Sequence, residues 1–196
     1  MPRTIRFYFD FASPYSYLAS TQLKALAERA DAGLEYVPIS VLEVMKLVDN
    51  TPTTIISKVK GAYAMADIGR WVRRYQIPFS TDRAQRKIDN ARLLAGAAIA
   101  AEAGEGGAYA DAVFQGVWGA GPALADDAVL GDVLRKAGLS SVDSVLAGRE
   151  RGAAIIAANV TAAAEAGVFG APSFIVGGQL YFGNDRLGFL EEALAA

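Results

Sequence analysis

The sequence predicts an α/β fold that is interrupted by a large, all-helical insertion. Two terminal patterns indicate this: strand–helix–strand over residues 1–40, and strand–turn–strand–helix over residues 165–196. Residues 41–164, between them, carry mostly helical apolar spacing. Because strands precede and follow it, we expect this helical block to be an insertion into one α/β domain that the two ends of the chain build together.

The first strand is predicted over residues 4–9, which are rich in β-branched and aromatic side chains. A helix follows, because Ser13 stands where an N-cap belongs and Pro14 takes the first helical position. Apolar residues then recur at helical spacing, namely Tyr15, Leu18, Ala19, Leu23, Leu26 and Ala27. The second strand is predicted over residues 34–40, where Pro38 lacks an N–H group and favours an edge position or a strand end.

The insertion is predicted to contain a series of helices separated by turns that contain glycine or proline. The predicted ranges are 41–48, 55–75 as one helix or two, 88–103, 109–118, 126–137, 140–147 and 149–166. Ser140 and Asp143 open one of these helices at the spacing of a capping box. Asp67, Arg70 and Trp71 are predicted to form a structural ion pair and a core anchor.

The last segments of the chain predict a β-hairpin and a closing helix. Residues 173–176 and 179–182 have strand character, and the two glycines between them suit a two-residue turn. A further turn follows the hairpin, and a helix is predicted over residues 186–194. This pattern completes the α/β domain after the insertion.

The composition excludes several kinds of chemistry. None of the 196 residues is a cysteine, so the chain has no disulfide, no thiolate nucleophile and no redox cycle of its own. None is a histidine, so the usual general base and the commonest metal ligand are both missing, and a zinc site would need carboxylates alone. If the protein is an enzyme, we expect its reactive group to arrive with a cofactor or a substrate.

Charge and hydropathy narrow the range of partners. The formal net charge of −2 gives no reason to expect nucleic acid or an anionic membrane as a partner. No stretch resembles a signal peptide, and no apolar run approaches the roughly 20 residues that a membrane-spanning helix needs. We therefore expect a cytoplasmic protein.

The predicted start of the first helix is a candidate site. Ser13 would lie where unpaired backbone N–H groups and the positive end of the helix dipole converge. Such a place stabilises an anion, whether phosphate, carboxylate or thiolate. A serine before a proline is also a common helix start with no further role, so this stretch alone leaves both interpretations open.

The run FYFDFASPYSYLAS closely resembles the opening of 2-hydroxychromene-2-carboxylate isomerases, which are related to kappa-class glutathione transferases. The resemblance implies a DsbA-like, thioredoxin-like fold of order β-α-β … β-β-α with a helical insertion, and glutathione as cofactor. In thiol–disulfide oxidoreductases the first cysteine of Cys-x-x-Cys occupies the position of Ser13, and the four positions here read Ser13-Pro14-Tyr15-Ser16. Ser13 is thereby implied to be the catalytic residue, which donates a hydrogen bond to the glutathione sulfur.

The resemblance also implies two further glutathione-binding segments. In GVFGAPSF the bond before Pro172 is expected to be cis, and the backbone of Ala171 is expected to pair with the cysteinyl part of glutathione. Without the resemblance, Pro172 is simply a proline at a strand start. The second segment comprises Phe182, Gly183, Asn184 and Asp185. Its N–H groups would hold the γ-glutamyl carboxylate and Asp185 would face the ammonium, although helix capping alone also explains Asn184 and Asp185.

The resemblance also implies substrate-binding residues in the insertion. The family has lysines and an Asn-x-Pro turn there, and this sequence has matching residues. The matches are Lys46, Asn50, Thr51 and Lys60, with Lys58 as a possible substitute for Lys60. Taken alone, each lysine is more often a solvated surface charge.

The family's proline- and phenylalanine-rich loop is shortened here to residues 80–89, and Asn90 matches an asparagine at its end. A cluster of basic residues is interpreted as a solvated helix face: Arg70, Arg73, Arg74, Arg83, Arg86 and Lys87.

The hypothesis that follows is a glutathione-dependent isomerase in aromatic hydrocarbon catabolism, such as naphthalene degradation. It would interconvert 2-hydroxychromene-2-carboxylate and trans-o-hydroxybenzylidenepyruvate by thiolate addition, ring opening, bond rotation and elimination. A homodimer is expected from the resemblance. Two alternatives remain open: a kappa-like glutathione transferase or peroxidase with another electrophile, and a thioredoxin-like binding protein without catalysis.

Overall fold

The computed structural model describes residues 3–82 and 88–195. Four strands form one sheet: β1 (Thr4–Phe9), β2 (Gly33–Pro38), β3 (Ser173–Val176) and β4 (Gln179–Phe182). Their spatial order is β2-β1-β3-β4, with β1 and β2 parallel and the other two pairings antiparallel. The strand β2 lies at the edge of the sheet and ends at Pro38, which confirms the prediction drawn from that proline.

Ten α-helices are described. They are α1 (Pro14–Arg29), α2 (Val41–Leu47), α3 (Thr53–Ile56), α4 (Lys58–Tyr75), α5 (Asn90–Glu102), α6 (Gly106–Val117), α7 (Asp127–Lys136), α8 (Val142–Ala147), α9 (Arg149–Glu165) and α10 (Leu187–Ala195), with a 3₁₀ turn at Asn184–Arg186. Helices α2 to α9 lie between β2 and β3 in the chain. The predicted β-α-β … β-β-α order around a helical insertion is therefore confirmed, while the domain boundaries at residues 40 and 165 stay a prediction.

Aromatic packing joins the sheet to the insertion. The Phe7 ring stacks on Phe9 and on Phe174, with centroids 5.1 and 5.4 Å apart. The Phe9 ring lies 5.8 Å from that of Phe114 in α6, and Phe11 lies 4.8 Å from the same ring. All five side chains are buried. Because each large ring removes much apolar surface from water, this cluster holds β1 and the turn after it firmly against α6.

The hairpin is confirmed in detail. Residues Gly177 and Gly178 form its two-residue turn and have φ angles of 57° and 81°. A turn with two positive φ angles matches the twist of the flanking strands, and glycine adopts it without the steric cost of a Cβ atom. The hairpin places the end of β4 beside the start of β3, because Ser173 is in register with Phe182.

Two local predictions are decided by the structure. Of the two alternatives for residues 55–75, the structure has two helices, α3 and α4, and the first begins at Thr53. The expected capping box at Ser140 is wrong, because the α8 N-cap residue is Ser141 and it makes no side-chain cap bond. Instead the hydroxyls of Ser140 and Ser141 donate to Glu105, at 2.7 and 2.5 Å, and their backbone N–H groups donate to the same carboxylate. A side chain distant in sequence has replaced the local cap.

The Asp67–Arg70–Trp71 prediction is half confirmed. Arg70 forms the ion pair with Asp67 at 3.4 Å. Trp71 is only half-buried, so it is not a core anchor, and its ring lies 5.3 Å from that of Tyr75. Within the predicted basic cluster, the α4 arginines are exposed, which supports a solvated face. Arg83, Arg86 and Lys87 lie outside the described residues, as does the 83–87 part of the shortened loop. No helix within residues 3–82 and 88–195 is both long and apolar enough to cross a membrane.

Candidate active site

Ser13 caps the first helix as predicted. Its backbone is extended, with φ −92° and ψ 111°, and its hydroxyl oxygen accepts a hydrogen bond from the Ser16 N–H at 3.2 Å. Pro14 follows at the first helical position. The side chain is half-buried, so a ligand can reach the hydroxyl where the positive end of α1 lies.

The cis-proline loop lies against this helix start. The Ser13 hydroxyl donates to the Ala171 carbonyl at 3.1 Å, across 158 residues of chain. The bond between Ala171 and Pro172 is cis, as the resemblance implied. Tertiary structure has therefore brought together the helix start and the cis-proline segment, which lie far apart in the sequence.

The turn after β4 completes this corner of the molecule. The Gly183 N–H donates to the Pro172 carbonyl at 2.9 Å, and Gly183 has a φ of 104° that only glycine adopts readily. The rings of Phe169 and Phe182 lie 4.6 Å apart beside it. At Gly170 a Cβ atom would come within 2.7 Å of the Phe182 ring, so a glycine is needed there to seat that ring.

The two polar residues of this turn differ in exposure. Asp185 is exposed and pairs with Arg186 at 3.2 Å, so its carboxylate can face a ligand. Asn184 is buried, and its side-chain nitrogen has no hydrogen-bond partner among the described residues. Its backbone carbonyl accepts a weak hydrogen bond from the Tyr75 hydroxyl at 3.4 Å. The N-cap position of this turn is Gly183, so neither Asn184 nor Asp185 occupies the capping position.

Of the predicted substrate residues, Asn50 has a defined contact with this corner. Its side-chain amide donates to the Phe169 carbonyl at 2.8 Å, which ties the segment after α2 to the cis-proline loop. The neighbouring Thr51 is exposed. Lys46, Lys58 and Lys60 are exposed too, and none forms an ion pair with another residue in the described ranges. All three lysine side chains are solvent-exposed, and Lys58 and Lys60 both lie in the first turn of α4.

Tyr15 was not predicted as a site residue. Its hydroxyl lies 3.3 Å from an Asp67 oxygen and 3.4 Å from the Ala64 carbonyl, so it ties the first turn of α1 to α4. Burial, with the nearby Asp67 charge, raises its pKa to about 12. Tyr15 therefore stays protonated and acts as a hydrogen-bond donor rather than as a base. The sequence signal for this role was the position of Tyr15, two residues after the N-cap residue Ser13.

Asp10 was also missed. It follows β1 directly and is only 2% exposed, and its backbone carbonyl accepts a hydrogen bond from the Ser13 N–H at 3.1 Å. Burial raises the pKa of its carboxyl, and hydrogen bonds from Val41, Ala12 and Asn90 oppose that rise. Both oxygens accept N–H donors, which favours the ionised form. A charged residue directly after an apolar strand was the signal in the sequence.

The geometry suits a ligand with a thiol and a peptide backbone. A hydroxyl and a helix N-terminus lie at one end, an adjacent backbone carbonyl lies beside them, and an exposed carboxylate lies on the next turn. Known proteins share this arrangement of the chain. A family model described as the DSBA-like thioredoxin domain matches residues 4–195.

The chain belongs to the DSBA-like thioredoxin domain family.

Within this family, curated relatives cover nearly the whole chain. A 2-hydroxychromene-2-carboxylate isomerase of Sphingobium xenophagum is 35% identical over 201 residues, 99% of this chain and 99% of the relative. One of Pseudomonas putida is 34% identical over 97% of this chain and 93% of the relative. The names of these relatives support an isomerase role and bear out the resemblance seen in the sequence.

Solved structures agree with the sequence relatives. The structure of a 2-hydroxychromene-2-carboxylate isomerase superposes with a TM-score of 0.83 at 31% identity, over 98% of this chain and 94% of that chain. A probable DsbA oxidoreductase of Streptomyces coelicolor superposes with a TM-score of 0.76 at 21% identity, over 98% and 88% of the two chains. The second similarity shows the shared fold alone.

Proposed function

We propose that this protein is a glutathione-dependent isomerase of 2-hydroxychromene-2-carboxylate or a closely related aromatic carboxylate. The observation that carries the proposal is the contact between the Ser13 hydroxyl and the Ala171 carbonyl at the start of α1. The contact puts a hydroxyl donor at a positive helix end in a chain that has no cysteine and no histidine, which supports a role for a thiol that arrives with a ligand. The names of the curated relatives supply the reaction.

The described residues fit glutathione as a ligand. The Ala171 carbonyl has a second lone pair, so it can accept a peptide N–H of the ligand beside the Ser13 hydroxyl. The exposed Asp185 carboxylate suits a γ-glutamyl ammonium. The buried, unpartnered side-chain nitrogen of Asn184 is a donor that a γ-glutamyl carboxylate would satisfy. These three groups match the cysteinyl backbone, the ammonium and the γ-glutamyl carboxylate of such a ligand.

Bound glutathione would supply a thiolate nucleophile, which this chain lacks. Ser13 would turn its hydroxyl from the Ala171 carbonyl to the sulfur and donate a hydrogen bond to it. The N-terminus of α1 favours the same negative charge, so both effects favour thiolate over thiol. Ser13 would act as a donor throughout and form no covalent bond. Lys46, Asn50 and one of Lys58 and Lys60 would hold the substrate carboxylate and polarise the adjacent oxygen.

The surroundings of the site suit an aromatic substrate. Large apolar side chains that are more than a third exposed are concentrated in α2 to α4, in the loop before Pro172 and at the end of β4. They include Leu42, Leu47, Ile55, Ile56, Val59, Tyr63, Phe169 and Phe182. An exposed apolar surface of this kind near a site is typical of ligand or subunit contacts. A homodimer remains part of the proposal for the same reason.

Calorimetric titration with glutathione at two pH values tests the proposal. We expect binding to the wild type with proton release near neutral pH, and weakened binding to Ser13→Ala. Chromene turnover should then fall by about 100-fold or more in Ser13→Ala, because one donor to a developing charge is lost while the fold is kept. Unchanged turnover in that variant would remove Ser13 from the mechanism.

The same titration separates the alternatives. Glutathione binding with activity on halogenated aromatics and none on chromenes would favour a kappa-like transferase. No binding at millimolar glutathione would overturn both enzymatic hypotheses and leave a thioredoxin-like binding protein. Thr161→Ala serves as the control, since Thr161 is exposed on α9 and donates only to the Ala157 carbonyl of its own helix.

A further inference from the structure

A buried carboxylate lies directly behind the helix start that carries Ser13. Asp10 is 2% exposed and accepts three hydrogen bonds, each of 2.8 Å. One oxygen accepts the Ala12 N–H and the Asn90 side-chain amide, and the other accepts the Val41 N–H. A buried carboxylate with donors on both oxygens is held in one orientation.

The three donors come from the starts of three helices. Ala12 belongs to the turn that leads into α1, Val41 is the first residue of α2, and Asn90 is the first residue of α5. The α2 N-cap residue, Ser40, makes no side-chain cap bond, so Asp10 supplies that helix with an acceptor from another element. One carboxylate therefore joins three positive helix ends.

Asp10 and the three helix starts that it joins form a junction. This junction contacts both parts of the candidate site, the turn that ends at Ser13 and the segment that leads to Asn50. The Ser13 N–H donates to the Asp10 backbone carbonyl at 3.1 Å, so the carboxylate and the carbonyl of one residue shape the turn that ends at Ser13. Helix α2 leads to Asn50, which contacts the cis-proline loop. A turn-forming aspartate needs only the bond to the N–H two residues later. The bonds to Val41 and Asn90 go beyond that local role.

We propose that Asp10, held by Asn90, is a positioning residue that fixes the Ser13 turn against α2 and α5 and places one buried negative charge behind the thiol position. The negative charge of Asp10 opposes the positive field of the helix N-termini. The pKa of a thiol at this position is therefore higher than it would be if the helix N-termini acted alone. The proposal deepens and rests on the proposed function, but its test needs no glutathione.

The other charged groups near this junction are either exposed or paired with other residues. Glu43 on α2 is exposed and adds like charge to Asp10. On α5, Arg92 donates to Asp127 and to the Leu124 carbonyl, and Asp89, the N-cap residue of α5, accepts from Arg149. The first turn of α1 carries no charged residue. Beside it, the charges of Asp67 and Asp185 act on Tyr15. All of these remain unchanged in the variants below, so only the junction is altered.

The test places the only thiol of the protein at the site. In the Ser13→Cys variant, ultraviolet absorbance of the thiolate against pH gives the pKa of that thiol, which we expect below the usual value of about 8.5. Adding Asp10→Asn should lower it further, by about half a unit or more, because a nearby negative charge is removed. Adding Asn90→Ala should raise the thiol pKa. The Asp10 carboxylate stays in place but loses the hydrogen-bond donor that partly offsets its charge.

A matched control removes a carboxylate elsewhere. Asp132 lies on α7 with its side chain 71% exposed, and Asp132→Asn should leave the thiol pKa unchanged. Circular dichroism and thermal unfolding establish that each variant is folded, and Asn90→Ala carries the test if Asp10→Asn does not fold. A purely structural Asp10 would change thermal stability and leave the thiol pKa where it was, and that result, or a rise with Asp10→Asn, would overturn the proposal. Glutathione binding by the wild type decides the proposed function separately.

Discussion

The side-chain amide of Asn50 donates a hydrogen bond to the backbone carbonyl of Phe169 at 2.8 Å, across 119 residues of chain. Asn50 was singled out as a residue that holds the substrate, and Phe169 lies in the loop that precedes Pro172. One contact therefore joins the segment proposed for the substrate to the loop proposed for glutathione. Binding of the two ligands should be coupled through it.

Asn50→Ala should weaken the binding of both glutathione and the substrate. A single hydrogen bond contributes about 1 kcal/mol, so we expect the Kd of glutathione and the KM of the chromene each to rise by about fivefold. Calorimetry and steady-state kinetics measure the two quantities. Asp49→Asn, at the exposed neighbouring position, is the control. An unchanged Kd for glutathione would show that Asn50 acts on the substrate alone and that the contact with Phe169 is incidental.

Tyr15→Phe should reduce stability without changing the pH dependence of activity. The variant loses the contacts of the hydroxyl with Asp67 and the Ala64 carbonyl, so we expect a loss of about 1 kcal/mol in the free energy of unfolding. Because the pKa of Tyr15 is about 12, its hydroxyl does not titrate in the working range. Denaturant unfolding and a pH–rate profile test this. Tyr63→Phe, on the exposed face of α4, is the matched control. A changed pH–rate profile would give Tyr15 a role in proton transfer.

Gly152→Ala should be destabilising although alanine is the better helix former. A Cβ atom at Gly152 in α9 would overlap the backbone of Ala95 in α5, including its carbonyl oxygen. Relieving that overlap should cost about 1–3 kcal/mol, more than the gain of about 1 kcal/mol in helix propensity. Gly188→Ala in α10 is the control, since its Cβ atom would meet nothing within 4 Å and the variant should gain stability. Equal thermal unfolding of both variants would contradict the close α5–α9 packing.

Glu105 should stabilise the fold at neutral pH and not in acid. Hydrogen bonds from the hydroxyls of Ser141 and Ser140, followed by their backbone N–H groups, lower its pKa from 4.5 to about 2. A carboxyl with a lower pKa in the folded state stabilises that state above the unfolded pKa, and the contribution disappears as the pH falls through the folded value. Glu105→Gln should therefore lower the Tm at neutral pH, with a difference that shrinks below pH 4.5 and vanishes near pH 2. A difference in Tm that is independent of pH would contradict the ionic role.

Local patterns in the sequence predicted most of the elements. Ser13 and Pro14 specify a helix start through a cap and a fixed φ, and two adjacent glycines specify the hairpin turn through positive φ angles. These preferences act over a few residues, so they are readable without the fold. The Ser140 capping box failed because Glu105, the N-cap residue of α6, binds the same serines. A local motif cannot exclude a stronger partner brought in by packing.

The sequence by itself determined the order of strands and helices, the edge position favoured by Pro38, and a chain that lacks cysteine and histidine. It also pointed to Ser13 by a local helix-start signal, and to Pro172 and Gly183 through the family resemblance. Only the tertiary structure decided that these three positions meet, through the hydrogen bonds from Ser13 to Ala171 and from Gly183 to Pro172. It alone placed Asp10 among three helix starts. The physical reason is that contacts across 80 or 158 residues depend on how the sheet and the insertion bury their apolar faces, and no local preference encodes that.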